Sequence, residues 1–229
     1  MRNSLVFLIM ITASSAVLAD QKVYIKQVSG DNLSVTIVQN TGDGNTIGNS
    51  IEVDPYFTVE GTSQTYVFDM FGSNNALTGS VQGDSVGLDV SWTGDTNTMD
   101  ITLINGASSD FVLDFVGGDN DVVMNLGDGL GGTASYLNFD WIVTGDYNVF
   151  DVDVNADGAM QDINLTGSFN EYTIDQSGYG TSLDYHDITL TATGDNNTVA
   201  LTQSTTLVGS TIDMVMNGSN QTITITQSD

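Results

Sequence analysis

The stretch GDTNTMDITL, residues 94–103, contains the pattern on which the fold of this chain depends. A glycine is followed three residues later by an asparagine, and apolar residues then occupy every second position, at Met99, Ile101 and Leu103. Strict alternation of apolar and polar residues indicates a β-strand with one buried face. The Gly-Asp pair at the start is typical of a turn, because both residues accept unusual backbone angles or bond their own backbone.

The same phrase occurs seven times along the chain. Its asparagines are Asn45, Asn75, Asn97, Asn120, Asn148, Asn170 and Asn197. The glycines that precede them, from Gly42 to Gly194, are separated by 30, 22, 23, 28, 22 and 27 residues. Internal repetition with a period of about 20–50 residues indicates a solenoid or an array of repeats.

A second set of alternating segments lies between these strands, as in Val86 to Trp92 and Phe111 to Phe115. Each repeat therefore contains two strands joined by short turns. Stacking each strand on its counterpart in the next repeat predicts an all-β fold, a flattened β-solenoid with two strands per coil. The repeats correspond to about eight coils plus a terminal strand.

The repeated asparagines share the inward register with the apolar residues. A buried amide costs free energy unless it is hydrogen-bonded. In-register stacking would let each asparagine bond the turn backbone and its copies above and below, which predicts an amide ladder. Glutamines near the strand ends are predicted to behave in the same way: Gln39, Gln176, Gln203, Gln221 and Gln227.

The first nineteen residues have the composition of a secretory signal peptide. Arg2 is followed by an apolar run from Leu5 to Ile11, and Val17-Leu18-Ala19 fits a small-residue cleavage site. The sequence thus predicts cleavage near Ala19, a single repeat domain over residues 20–229, and a secreted, extracellular or cell-surface location. The apolar run is too short to span a bilayer, and no later stretch is long enough.

The charge of the chain is strongly negative. It contains 29 acidic residues and a formal net charge of −26, and beyond residue 19 its only cations are Lys22 and Lys26. Such a surface repels phosphate, so nucleic acid is excluded as a partner. Charge of this kind affects solubility and association rather than the fold.

The sequence contains no set of residues that resembles a catalytic site. There is no cysteine, and His186 is the one histidine, so no transition-metal cluster or Cys-His network is predicted and the chain is not expected to be an enzyme. Residues 153–158, DVNADG, copy the opening of an EF-hand loop, but its twelfth position is Asn164 instead of glutamate. Apart from calcium at this segment, or at the glycine-rich stretch 127–132, no cofactor is predicted.

Several segments resemble the curlin repeat, in which Asn opens and Gln closes an alternating strand after a Gly-rich turn. The closest are NLSVTIVQ (32–39), which leads into GDGN (42–45), NTVALTQ (197–203) and QTITITQ (221–227). The chain is similar to a divergent curlin-like repeat protein. This resemblance implies a subunit exported through an outer-membrane pore, which self-assembles, often on a nucleator subunit, into amyloid-like fibres of a biofilm matrix.

The two end strands are the predicted assembly edges. Open strand edges are templates for pairing with another chain, and solenoids that remain monomeric need polar caps. The first edge comprises Gln21, Lys22, Val23, Ile25, Lys26 and Gln27, and the last includes Ile223 and Ile225. The two lysines either guard the edge against aggregation or meet an acidic neighbour in head-to-tail stacking.

The sequence leaves one alternative function open. A monomeric or surface-anchored acidic β-solenoid could act as an adhesin or as a cation-dependent binding module.

Overall fold

The computed structural model describes residues 5–11, 22–23, 25–27, 32–39, 44, 46–48, 57–104, 108–127, 134–178, 186–205 and 210–228. All regular structure in these residues is β-strand, which confirms the predicted all-β class. Asn45 and Gln21 lie outside the described residues.

Nineteen strands are described, and they include both sets of alternating segments. Their bounds are β1 Leu5–Ile11, β2 Lys22–Val23, β3 Ile25–Gln27, β4 Leu33–Gln39, β5 Thr46–Ile47, β6 Phe57–Glu60, β7 Thr65–Phe71, β8 Ala76–Gln82, β9 Gly87–Thr93, β10 Thr98–Ile104, β11 Asp110–Val116, β12 Asp121–Leu126, β13 Ala134–Thr144, β14 Val149–Thr166, β15 Glu171–Gly178, β16 Asp187–Thr193, β17 Thr198–Thr205, β18 Thr211–Asn217 and β19 Thr222–Ser228.

The strands form two parallel sheets that face each other across a thin core. Sheet A contains β1, β4, β7, β9, β11, β13, the second half of β14, β16 and β18. Sheet B contains β2, β3, β5, β6, β8, β10, β12, the first half of β14, β15, β17 and β19. The chain alternates between the sheets, so the predicted flattened β-solenoid with two strands per coil is confirmed.

The number of regular coils is smaller than predicted. About six complete coils follow one another, beginning at Asn75, Asn97, Asn120, Asn148, Asn170 and Asn197, and β19 follows them. The prediction of eight also counted the two stretches before Asn75, where sheet B consists of the short strands β2, β3, β5 and β6. The observed count differs from the predicted one because the spacing of the repeats does not show how many residues of each repeat pair with the neighbouring strand.

The core is formed by the inward residues of both sheets. Along β9, for example, Leu88, Val90 and Trp92 are buried while the residues between them face outward. Aromatic rings from successive coils meet inside: the Phe111 and Phe139 rings stack with centroids 4.9 Å apart. Burial of these faces is the main favourable term for a fold that has no cysteine to cross-link it.

The predicted leader overlaps β1, which pairs in parallel with β4. Residues 12–20, which include the expected cleavage site, lie outside the described residues. Cleavage near Ala19 therefore stays a prediction.

Candidate functional site

The corner before each sheet-B strand from β8 to β19 is formed by three residues that begin with glycine. In Gly145-Asp146-Tyr147, the glycine has φ +148° and the third residue φ +60°. A Cβ added to Gly145 would lie 1.9 Å from the carbonyl oxygen of Gly117 in the preceding coil. Glycine is therefore required both by the backbone angle and by the close approach of stacked corners.

The asparagine after each corner is buried and belongs to a continuous hydrogen-bonded column. The backbone N–H of Asn97 donates to Asn120 Oδ1 at 2.9 Å, and that of Asn120 donates to Asn148 Oδ1 at 3.1 Å. Five consecutive coils repeat this bond, because Asn75 donates to Asn97, Asn148 to Asn170 and Asn170 to Asn197 in the same way. The side chain of each coil thus satisfies the backbone of the coil before it.

The side-chain amides complete this asparagine column. Asn97 Nδ2 donates to Gly94 O at 2.9 Å and to Asn120 Oδ1 at 3.0 Å. Near the end of the column, Asn197 Nδ2 donates to Gly167 O at 2.9 Å. Each side-chain amide therefore bonds a glycine carbonyl of a corner or the asparagine of the next coil, and these buried amide groups have hydrogen-bond partners.

Replacing a central member of the column should destabilise the solenoid. We expect Asn120→Ala to lower the free energy of unfolding by about 2–4 kcal/mol, since it leaves the buried Asn97 N–H without its acceptor. Asn155→Ala, at an exposed position of β14, should change it by less than about 0.5 kcal/mol. Denaturant unfolding followed by circular dichroism measures both, and equal effects would contradict a structural role for the column.

Aspartates at the second corner position form a second set of links between coils, which the sequence did not predict. Asp95 Oδ1 accepts from Gly118 N–H at 2.7 Å, and Asp195 Oδ1 accepts from Ser219 N–H at 2.6 Å. Asp146 does the same for Ser168. The Gly-Asp pairs are thus more than turn formers: their carboxylates bond the backbone of the following coil.

The glutamines do not form one continuous column. Gln176, Gln203 and Gln227 are in register in sheet B, and Gln227 Nε2 donates to Gln203 Oε1 at 3.4 Å. Gln39 lies in sheet A beside Met70, where its buried amide has no hydrogen-bond partner among the described residues. Gln221 takes the position of Asn197 in the last strand and donates to Gly194 O at 2.8 Å, but nothing in the described part of the chain bonds its Oε1.

His186 is buried beside Gln176 at the opposite corner from the asparagines. Its Nδ1 accepts a hydrogen bond from Gln176 Nε2 at 2.7 Å and one from the Ala159 N–H at 3.3 Å. The ring is therefore neutral, with its proton on Nε2. Burial lowers the pKa of His186 from its ordinary value of 6.5, while the Gly178 backbone and the Asp157 carboxylate act in the opposite direction.

The lowered pKa of His186 predicts a loss of stability in mild acid. From pH 6.5 down to the lowered pKa of the folded state, the unfolded chain binds a proton that the folded chain does not, so the free energy of unfolding falls, by at most about 1.4 kcal/mol per pH unit. His186→Gln, with the residue found at the equivalent Gln64, should flatten the dependence between pH 6.5 and 5. Urea midpoints across this range measure it, and identical slopes would contradict the assignment.

The outward carboxylates are closely spaced along the sheets. Asp153 pairs directly with Asp175 in sheet B, and Asp140 pairs with Asp162 in sheet A. Burial, and secondarily the neighbouring Asp114, raises the pKa of Asp89. Stacked like charges oppose the sheet pairing that the core favours.

The last coil is uncovered in the described structure. In β19, Ile223 and Ile225 are 45% and 49% exposed, whereas Val199 and Leu201, their partners in β17, are fully buried. β17 is the one described strand that pairs with β19. Together with β18, these residues form a terminal surface (residues 210–228) with an open edge and apolar inward positions.

The predicted first edge is described only in part. Lys22 and Val23 lie in β2, which pairs with β5, while Ile25, Lys26 and Gln27 form β3, which pairs with β6. Successive pairings place β2 and β3 in the same sheet as β19. The two predicted edges therefore belong to opposite ends of sheet B.

The segment resembling an EF-hand loop has a different conformation. Residues 153–158 lie within β14, which runs unbroken from Val149 to Thr166. Asp153 and Asn155 consequently point outward on a strand instead of converging on an ion. Among the described residues, no three acidic or histidine side chains are grouped to hold a metal ion. Most of the other calcium candidate, residues 128–132, lies outside the described residues.

Comparisons with family models, curated proteins and solved structures find no match to this chain. Within the described part of the chain, no helix is long and apolar enough to cross a membrane.

Proposed function

We propose that this protein is a secreted structural subunit that self-assembles head-to-tail into extracellular curli-like fibres. The observation that carries the proposal is the terminal surface, on which Ile223 and Ile225 remain about half exposed in positions that are buried in every regular coil. An open strand edge beside uncovered apolar residues is a template for another strand. The occupant that fits such a surface is a further coil of the same kind.

The sequences of the two predicted end strands share one pattern. QKVYIKQ (21–27) and QTITITQ (221–227) share the pattern Gln, Val or Ile, Ile, Gln at alternate positions. If β19 of one copy pairs in register with the first strand of the next, like residues stack on like, as they do in steric zippers. Lys22 and Lys26 would then align with Thr222 and Thr226, so no like charges oppose each other at the contact.

The resemblance to the curlin repeat supports the remaining parts of the proposal. It suggests export through an outer-membrane pore, nucleation by a second subunit and a place in a biofilm matrix. In this register Lys22 and Lys26 meet threonines instead of an acidic neighbour, so the interpretation that fits the contact is the one in which the lysines guard the free edge.

Electron microscopy and fibre diffraction of the purified chain from Asp20 test the proposal. We expect filaments with a reflection at about 4.7–4.8 Å along the axis. A chain lacking residues 221–227 should fold but elongate poorly. A protein that stays monomeric for days, with or without calcium, would instead favour the monomeric or surface-anchored binding module.

Salt should accelerate fibre formation. Because each subunit carries 29 acidic residues and, beyond residue 19, only the cations Lys22 and Lys26, an added subunit meets a repulsion between net charges that ions screen. Raising sodium chloride from about 10 to 200 mM, or lowering the pH, should shorten the lag of thioflavin fluorescence. Kinetics that slow under both changes would contradict assembly from subunits that repel one another through their net charge.

A further inference from the structure

Two exposed aromatic rings stack on each other at neighbouring corners of the solenoid. Tyr147 is 55% exposed and Phe169 is 50% exposed. Their ring centroids are 5.0 Å apart and their planes differ by 5°. We refer to Tyr147 and Phe169 as the aromatic corner pair.

Neither side chain is required by the fold. Both occupy the third corner position at φ +60°, where bulky residues are rare. The same position in the other regular corners holds small or polar residues: Asn74, Thr96, Asp119, Asn196 and Asn220. Two adjacent coils thus place large apolar rings in solvent at a backbone conformation that disfavours them, and such departures cluster at functional positions.

Acidic residues precede the aromatic corner pair in the stack of corners and flank it along the chain. Asp119 lies in the coil before Tyr147, at the equivalent corner position, and its backbone N–H donates to Asp146 O. Glu171 is the first residue of β15, the strand that follows Phe169. Asp146 and Asp195 each use one carboxylate oxygen to accept a backbone N–H of the following coil. The corner therefore combines flat apolar rings with concentrated negative charge.

We propose that the aromatic corner pair binds an arginine side chain on a basic peptide segment of another protein. A guanidinium is planar and stacks on an aromatic face through cation–π attraction, and its fork of donors matches a carboxylate. Phe169 of the following coil covers one face of Tyr147, and Asp119 holds the equivalent corner position in the preceding coil, with a side chain smaller than a ring. One guanidinium can thus contact the Tyr147 ring and the Asp119 carboxylate together.

The charges of the chain itself argue against a second copy as the occupant. Residues 20–229 contain no arginine, and two copies would each bring a large negative charge to the contact. This site does not depend on fibre formation, because it lies along the side of the solenoid and not at its ends.

Calorimetric titration of the full chain with two peptides tests the proposal. One peptide alternates arginine and glycine, and the other replaces every arginine with lysine. We expect the arginine peptide to bind about tenfold more tightly, and the double variant Tyr147→Asn/Phe169→Asn to lose this preference. The variant should fold, since Asn occupies the same position at Asn74 and Asn196.

Tyr136→Asn is the matched control. Tyr136 is 54% exposed at φ +57° but lies in β13 of sheet A and not at a corner before a sheet-B strand, so its replacement should leave the arginine preference unchanged. Equal affinity of the wild-type chain for both peptides would reduce the interaction to general surface charge and overturn the proposal. A double variant that folds and keeps the preference would overturn it as well.

Discussion

Gly145→Ala should lower the free energy of unfolding by about 3–5 kcal/mol, the largest effect expected from so small a change. The added methyl group would lie 1.9 Å from the Gly117 carbonyl oxygen, at a φ of +148° that alanine rarely adopts. Relief would require two stacked corners to separate, which would also lengthen the Asn120–Asn148 hydrogen bonds. Denaturation followed by circular dichroism at low salt measures the loss.

Gly87→Ala provides the control for this prediction. Gly87 is within β9, and a Cβ there would meet its nearest atoms at 3.9 Å, an ordinary contact. Its replacement should leave stability unchanged within about 0.5 kcal/mol or increase it slightly. If the two variants unfolded at the same denaturant concentration, the close stacking of glycine corners would be contradicted.

Ile225→Lys should strongly slow fibre elongation and leave the monomer folded. Ile225 is 49% exposed, so a lysine there keeps its charge in water, but an incoming strand would have to bury that charge. We expect the elongation rate on preformed seeds to fall at least tenfold. Seeded thioflavin kinetics, with circular dichroism of the monomer, measure both properties.

Leu201→Lys places the same charge at the neighbouring position of the same column. Leu201 pairs with Ile225 and is fully buried, so this variant should lose about 4 kcal/mol or more and unfold. The contrast separates a defect in assembly from a defect in folding. Normal elongation by a folded Ile225→Lys protein would contradict the terminal surface as the growing end.

The periodicity of the sequence is sufficient to predict the strands and their buried faces. The alternation of apolar and polar residues shows which side of a strand faces the core, and a glycine at each corner implies a turn. The pattern alone therefore assigns Met99 and Ile101 to the core, where both are buried. Position within the strand also places the asparagines inside, where hydrogen bonding is obligatory. Strand position, buried face and turns depend on residues that are close in the sequence, so the sequence alone predicts them.

Pairing across long distances was decided by the tertiary structure. Gln39 and Gln176 close similar strands, yet β4 belongs to sheet A and β15 to sheet B, so the two glutamines lie in different sheets. The Asp146–Ser168 bond and the Tyr147–Phe169 stack likewise join residues 22 positions apart. The sequence shows that the corners repeat. Only the stacking of the corners brings the Asp146 carboxylate to the backbone N–H of Ser168 and the Tyr147 ring onto the Phe169 ring.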